Sequence, residues 1–147
     1  MESLKIVCVR CNHINHVKNE VTRENVVCEA CSHSLLDTVP VECDVQGFNQ
    51  HIFENDIPVL VDFYSPECAP CMKMAPDYEK AAASFGLEVR FIKINTQNDP
   101  DLARQYGVNM LPTIVAFKNA KEVNRFSSAL SKDQLSMWAE SLIQMTL

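Results

Sequence analysis

The stretch FYSPECAPCMKMAP, residues 63–76, holds two cysteines two residues apart, Cys68 and Cys71. It overlaps PVLVDFY, 58–64, a nearly all-apolar run of β-prone residues, and leads into a segment, 69–85, whose apolar residues recur near a 3.6-residue period. This order predicts a strand buried on both faces and then a helix. The first cysteine would lie at the helix N-terminus, where free N–H groups and the helix dipole stabilise a thiolate.

The spacing of the two cysteines suits a reversible disulfide. Three residues apart at the start of a helix, Cys68 and Cys71 share a face and can bond with little movement of the backbone. Pro70 between them costs no hydrogen bond in the first helical turn. A C-x-x-C pair beside a strand–helix–strand pattern is typical of redox proteins, so we assign this pair to redox chemistry.

A carboxyl group lies inside the predicted central strand. Asp62 belongs to VLVDFY, where burial of a carboxylate is costly. Either the strand twists this side chain to the surface, or a buried carboxyl with a raised pKa lies beneath the dithiol and accepts a proton from it. We favour the second interpretation.

The remainder of residues 41–147 alternates between strand and helix patterns. Pro76 is expected to kink the helix that follows the dithiol, and Ser131 is expected to cap the last helix. The fold class is therefore α/β, a mixed central sheet flanked by helices. The other predicted elements are strands at 88–95, 113–118 and 122–127 and helices at 99–107 and 131–145.

Four further cysteines form two pairs near the N-terminus, with sixteen residues between the pairs. This spacing is typical of zinc sites, and four thiolates complete a tetrahedron with no open position, as in a structural site. Residues 1–40 are too few to form a stable hydrophobic core without such a metal crosslink. We predict a zinc ribbon over 1–40 that holds one structural Zn²⁺ through Cys8, Cys11, Cys28 and Cys31.

Other interpretations of this segment are two disulfides or unliganded thiols. His13, His16 and His33 lie near the cysteines and could replace one ligand, although four well-spaced cysteines make this unnecessary. Cys43, the seventh cysteine, is expected to be a free, half-buried thiol.

Composition narrows the class of partner and the compartment. The 147 residues carry a formal net charge of −6, which disfavours nucleic acid as a partner. No apolar run approaches 18 residues, so no membrane span is expected. The first ten residues lack the pattern of a secretory signal, so we expect the protein to stay in a reducing cytoplasm. Seven cysteines in that compartment indicate metal binding or catalysis rather than structural disulfides.

Two segments resemble the thioredoxin family. VLVDFYSPECAPCMKMAP, 59–76, is similar to the active-site segment, and GVNMLPTIVAFKNAKEV, 107–123, is similar to the segment around the cis-proline. The resemblance covers residues 41–147, and with the four-cysteine ribbon in front the chain resembles the zinc-ribbon thioredoxins. It implies a thioredoxin fold, reduction of protein disulfides, and re-reduction by a thioredoxin reductase that uses NADPH. It also implies a monomer that binds no organic cofactor of its own.

The resemblance assigns roles to single residues. Cys68 matches the exposed attacking cysteine and Cys71 the buried resolving cysteine. Asp62 matches the buried acid, and Lys93 the lysine that pairs with it. The residues expected to contact substrate are Glu67, Ala69, Pro70, Leu111 and Pro112, the last of them the cis-proline.

Four positions depart from the family pattern. Glu67 replaces the usual tryptophan, while Ala69, Ala120 and Ser128 replace usual glycines. These changes bear on rate and substrate choice. Trp138, far from the motif in the chain, is expected to pack in the core.

Three alternatives to a disulfide reductase remain. The first is a thiol oxidase or isomerase on the same fold, and the second is a redox-inactive binding module. The third is a ribbon that releases zinc on oxidation, which is compatible with catalysis. The intact set of Cys68, Cys71, Asp62 and Pro112 argues against the inactive module.

Overall fold

Strands and helices alternate after residue 41, as the sequence predicts, in the computed structural model, which describes residues 3–18 and 26–145. The elements are β1 (Ser3–Val7), β2 (Ile14–Lys18), β3 (Val41–Glu42), α1 (Val45–Glu54), β4 (Val59–Tyr64), α2 (Ala69–Ala82), β5 (Arg90–Asn95), α3 (Pro100–Gln105), β6 (Thr113–Lys118), β7 (Lys121–Phe126) and α4 (Lys132–Gln144).

A mixed five-stranded sheet forms the centre of the fold, in the order β3-β5-β4-β6-β7. β3, β5 and β4 are parallel, whereas β6 and β7 form an antiparallel hairpin that joins the sheet beside β4. β4 is therefore central, and helices cover both of its faces, which explains why all six of its residues are buried. The predicted α/β class is confirmed.

Alternation along β4 separates the two halves of the core. Leu60 packs with residues of α2 and α4 on one face, together with Ile114 of β6. Val61 and Phe63 pack with residues of α1 and α3 on the other face. The even-numbered residues of β4, Asp62 among them, therefore point toward α2.

One helix was absent from the sequence prediction. α1 begins after Asp44, whose carboxylate accepts a hydrogen bond from the Gly47 amide at 2.8 Å, and it buries Phe48 and Ile52. The helix after the dithiol ends at Ala82, three residues earlier than predicted. β7 begins at Lys121 and ends at Phe126, one residue earlier at each end than predicted.

The N-terminal segment forms its own small sheet and packs on the rest of the chain. β1 and β2 are antiparallel. Residues around the upstream cysteines share an apolar cluster with Ile57 and Leu87 of the C-terminal part. The division at residue 40 remains a prediction, but these contacts place the ribbon against the start of β5.

Among the described residues, no helix combines the length and the apolar character needed to cross a membrane.

Candidate functional site

The dithiol lies where β4 ends and α2 begins. Cys68 is the N-cap of α2 and Cys71 lies in its first turn, with their Cα atoms 5.2 Å apart and a disulfide between them. The Cys71 amide donates to Cys68 Sγ at 3.2 Å. Cys68 is partly exposed, whereas Cys71 is 2% exposed. A substrate can therefore reach the first sulfur and not the second.

Asp62 is buried on the face of the sheet that α2 covers. Its side chain is 3% exposed, and Oδ1 has no hydrogen-bond partner among the described residues. Burial raises the pKa of the Asp62 carboxyl to about 7, against a smaller opposing effect of Lys93. The interpretation that the strand brings Asp62 to the surface is wrong. A carboxyl that titrates near neutral pH is suited to proton transfer.

Lys93 is the strand neighbour of that carboxyl. Asp62 and Lys93 are paired in the parallel register of β4 and β5, and both side chains lie on the α2 face. The ammonium does not form a direct ion pair with the carboxylate; its Nζ lies 5.5 Å from the centre of the Tyr64 ring. The Tyr64 hydroxyl in turn donates to a carboxylate oxygen of Glu42.

Three residues around Asp62 were not identified from the sequence: Glu42, Tyr64 and Tyr78. Tyr78 of α2 is buried, and its hydroxyl donates to the carbonyls of Leu60 at 3.0 Å and Ile92 at 2.8 Å, which joins β4 to β5 beside the carboxyl. In sequence Tyr78 looks like an ordinary core residue of an amphipathic helix. Its polar contact depends on strand register, which a single sequence does not give.

The segment before β6 has the geometry that the resemblance implies. The Leu111–Pro112 peptide bond is cis. Pro112 is buried and Leu111 is half-buried, while the Thr113 hydroxyl donates to the Met110 carbonyl at 2.7 Å.

An apolar groove of about 540 Å³ lies beside the dithiol. Of the five predicted substrate residues, the groove includes Ala69 and Pro70, while Glu67 is exposed next to Cys68. Leu111 and Pro112 do not line it. The other lining residues are Lys73, Met74, Asp77, Ala129, Leu130 and Ser131.

The four upstream cysteines converge. Their sulfur atoms all lie within 4.8 Å of one another, with Cys8 Sγ 3.7 Å from Cys31 Sγ and Cys11 Sγ 3.6 Å from Cys28 Sγ. A tetrahedral zinc ion with bonds of about 2.3 Å places its sulfurs about 3.8 Å apart. The cluster therefore fits a metal ion bound by four thiolates.

The two cysteine pairs adopt the same local fold. The amide of Cys8 donates to the His13 carbonyl at 3.0 Å, and the amide of Cys28 donates to the His33 carbonyl at 2.8 Å. In each loop an amide two residues after the first cysteine donates to its sulfur at 3.4 Å. The repeated loop presents two sulfurs to a common centre.

The thiol pKa values diverge within the cluster: those of Cys8 and Cys11 are raised, whereas that of Cys28 is lowered. Burial raises the pKa of the Cys28 thiol, but hydrogen bonds, chiefly from the Cys31 and Ala30 amides, outweigh burial and lower it to about 6. His33 bonds to Asp37 at 2.7 Å and His13 lies 3.8 Å from Glu29. Within the described chain, the cluster contains cysteines alone, so neither histidine takes a ligand position.

Two remaining sequence predictions concern single side chains. Cys43 is a free thiol, as predicted, but it is buried rather than half-buried, and burial raises its pKa to about 12. Trp138 packs in the core, as predicted, with its ring edge-on to Phe126 at a centroid distance of 4.7 Å.

The thioredoxin family model matches residues 39–141. The chain belongs to the thioredoxin family. Thioredoxin C-3 of Corynebacterium nephridii is 34% identical over 139 residues, 95% of each chain, a span that includes most of the ribbon. Thioredoxin 1 of Nostoc sp. is 37% identical over 93 residues, 63% of this chain and 87% of that protein.

Solved structures agree with this assignment. A mutant thioredoxin from Halobacterium salinarum superposes with a TM-score of 0.64 at 28% identity, covering 74% of this chain and 93% of that one. As a thioredoxin, the chain is a protein-disulfide oxidoreductase with a C-x-x-C redox centre. The four-cysteine cluster in front of the domain fits a zinc-ribbon thioredoxin.

Proposed function

We propose that this thioredoxin works in the reducing direction, cleaving protein disulfides in the cytoplasm as a monomer. One observation carries the proposal. A partly exposed sulfur at the N-cap of α2 is bonded to a buried sulfur, and α2 covers the face of the sheet that carries a buried carboxyl titrating near neutral pH. The helix N-terminus favours the thiolate on Cys68. The carboxyl of Asp62 provides a base for Cys71.

The first half of the reaction is an exchange of disulfides. The Cys68 thiolate attacks one sulfur of the substrate disulfide, the substrate S–S bond breaks, and a mixed disulfide forms. The displaced substrate sulfur leaves as a thiolate and takes a proton from water. Glu67, Ala69 and Pro70 border the attacking sulfur, and we assign them to substrate contact.

The second half releases the reduced substrate. The Cys71 thiol gives its proton to the Asp62 carboxylate and attacks Cys68 Sγ, which displaces the second substrate sulfur. We assign Leu111 and Pro112 to alignment of the extended substrate backbone. The Cys68–Cys71 disulfide left behind takes two electrons from NADPH through a thioredoxin reductase, and the chain itself needs no organic cofactor.

We assign one zinc ion to Cys8, Cys11, Cys28 and Cys31. A closed set of four thiolates leaves no position for a substrate, so the ion would act as a crosslink for residues 1–40. All proposed redox groups lie in residues 41–147, which we propose as the catalytic domain. In this proposal zinc stabilises the fold of residues 1–40 and takes no part in the disulfide exchange.

The test is reduction of a model disulfide protein, coupled to NADPH and a thioredoxin reductase. The wild type should turn over, and Cys68→Ser should not. Cys43→Ala is the matched control, because it removes a thiol that lies in the opposite half of the core. Turnover by Cys68→Ser would contradict the assignment. A reduction potential near that of known oxidases, about −120 mV, would favour the oxidase alternative instead.

A further inference from the structure

Three charged side chains, those of Asp62, Lys93 and Glu42, form a row on the α2 face. The proposed mechanism gives a role only to Asp62. In the parallel registers, Lys93 of β5 is paired with Asp62 on one side and with Glu42 of β3 on the other. Val41 packs in the core on the α1 face, so Glu42 points to the opposite, α2 face. One ammonium therefore lies between two carboxylates, one buried and one exposed.

Tyr64 connects this row across two strands. Tyr64 lies in β4, and its hydroxyl donates to Glu42 in β3. Because β5 lies between these two strands, the Tyr64 ring passes over β5, the strand that contains Lys93. The Lys93 ammonium is 5.5 Å from the ring centre, a distance at which a cation is attracted to an aromatic face. Lys93 forms a direct ion pair with neither Glu42 nor Asp62, so the contact that fixes its ammonium is the Tyr64 ring, which Glu42 holds through the Tyr64 hydroxyl.

We propose that Glu42 and Tyr64 are positioning residues, which hold the Lys93 ammonium toward β3 and so keep it from forming a direct ion pair with Asp62. The inference rests on the proposed role of Asp62 as proton acceptor. With Lys93 held away, Asp62 is stabilised less as a carboxylate and stays a stronger base. A direct ion pair would make it a weaker base and slow proton transfer from Cys71.

The charged and titratable groups facing Asp62 come from four elements. β5 contributes Lys93, β4 contributes Tyr64, and β3 contributes Glu42 at the outer edge. α2 contributes Tyr78, whose hydroxyl donates to two backbone carbonyls, and Cys71 lies in its first turn. Among these groups Lys93 is the one cation, so its position is the main variable in the field at Asp62.

The test is a double-mutant cycle of Glu42→Gln and Lys93→Met, read by the pH dependence of disulfide reduction and by carboxyl NMR of Asp62. Glu42→Gln keeps the oxygen that accepts from Tyr64 but removes the charge. We expect it to lower the titration midpoint of Asp62 by about one pH unit, as an opposite charge that moves close does. In the Lys93→Met background the same substitution should shift the midpoint by less than half as much.

Two outcomes would overturn the proposal. The first is no shift on Glu42→Gln in the wild-type background. The second is an equal shift with and without Lys93, which would mean that Glu42 acts on Asp62 directly. Asp62→Asn, measured in parallel, separates this inference from the proposed function. If Asp62→Asn leaves the pH profile unchanged, the proton-acceptor role itself fails; if it flattens the profile while Glu42→Gln does nothing, the positioning role alone fails.

Discussion

Both backbone polar groups of Val7 bond to buried side chains of the C-terminal part of the chain. Its amide donates to Asn55 Oδ1 at 2.7 Å, and its carbonyl accepts from Arg90 Nη2 at 3.2 Å. Arg90 is 2% exposed, and it also donates to the Asp37 carbonyl at 3.3 Å. Because Cys8 follows Val7, the first cysteine of the cluster is fixed directly to the surface that carries β5.

Removal of residues 1–40 is expected to lower stability and to spare activity. The truncated chain exposes Ile57 and Leu87, which now share an apolar cluster with the ribbon. Loss of that burial should cost about 3 kcal/mol in the free energy of unfolding, measured with urea. Disulfide reduction should stay within about threefold, or about 0.65 kcal/mol in the barrier. A truncated chain that is folded but inactive would show that the ribbon takes part in catalysis or docking.

The cluster is expected to bind one zinc ion per chain. Metal analysis of protein purified under reducing conditions should find about one equivalent, because four thiolates form a single closed site. The Cys28→Ser/Cys31→Ser variant should lose it, whereas Cys43→Ala should keep it. Undiminished zinc in the double variant would place the ion elsewhere.

Asp62→Asn is expected to slow reduction while stabilising the fold at neutral pH. Burial holds the pKa of Asp62 at about 7, above its ordinary value of 3.8, so the folded state favours the protonated form. The wild type therefore loses stability as pH rises from about 4 to about 7, by up to about 4 kcal/mol. Asparagine carries no charge that must be buried. The Asp62→Asn variant should therefore have a larger free energy of unfolding than the wild type at pH 8, and this difference should vanish below pH 4.

Urea unfolding of wild type and Asp62→Asn at pH 4 and pH 8 measures this difference. An equal difference at both pH values would mean that Asp62 does not titrate as proposed. The accompanying loss of rate should be about 10²-fold, the contribution of a positioned base.

Glu67 is expected to tune substrate charge. The side chain is exposed beside Cys68, where screening by salt acts within about 8–10 Å. Glu67→Gln should raise the thiolate fraction of Cys68 and improve rates on acidic disulfide peptides relative to basic ones. Glu67→Trp should improve reduction of ordinary thioredoxin substrates. Thiolate absorbance against pH and rates on matched acidic and basic peptides give the measurement; no change in either would make Glu67 a neutral replacement.

The two cysteine sites were predictable because local spacing defines them. The spacing of Cys68 and Cys71 predicts a pair at a strand–helix junction. The spacing of the four upstream cysteines predicts two loops around one centre. The residues that surround them were not predictable in the same way. Arg90 lies in the segment predicted as a strand, with nothing in its neighbours to mark a buried cation. It is buried because the ribbon, more than fifty residues away in the chain, covers it.

Helix α1 was missed for a related reason. Val45, Phe48 and Ile52 do recur at helical spacing, but the segment is ten residues long and contains Gly47, a poor helix former. Its stability comes from packing of Phe48 against Phe63 and Phe117 in the tertiary structure, at centroid distances of 6.2 and 6.0 Å. Tertiary contacts therefore decide both the missed helix and the missed polar residues.

The most direct test of the central claim is mass analysis of the mixed disulfide formed with a substrate. The claim is that Cys68 attacks and Cys71 resolves. Cys71→Ser, mixed with a disulfide peptide, should accumulate one peptide bonded to Cys68, because the resolving thiol is absent. Cys68→Ser should form no adduct, and Cys43→Ala should turn over like the wild type. A peptide bonded to Cys71 in the Cys68→Ser variant, or no adduct on Cys68 in Cys71→Ser, would contradict the account.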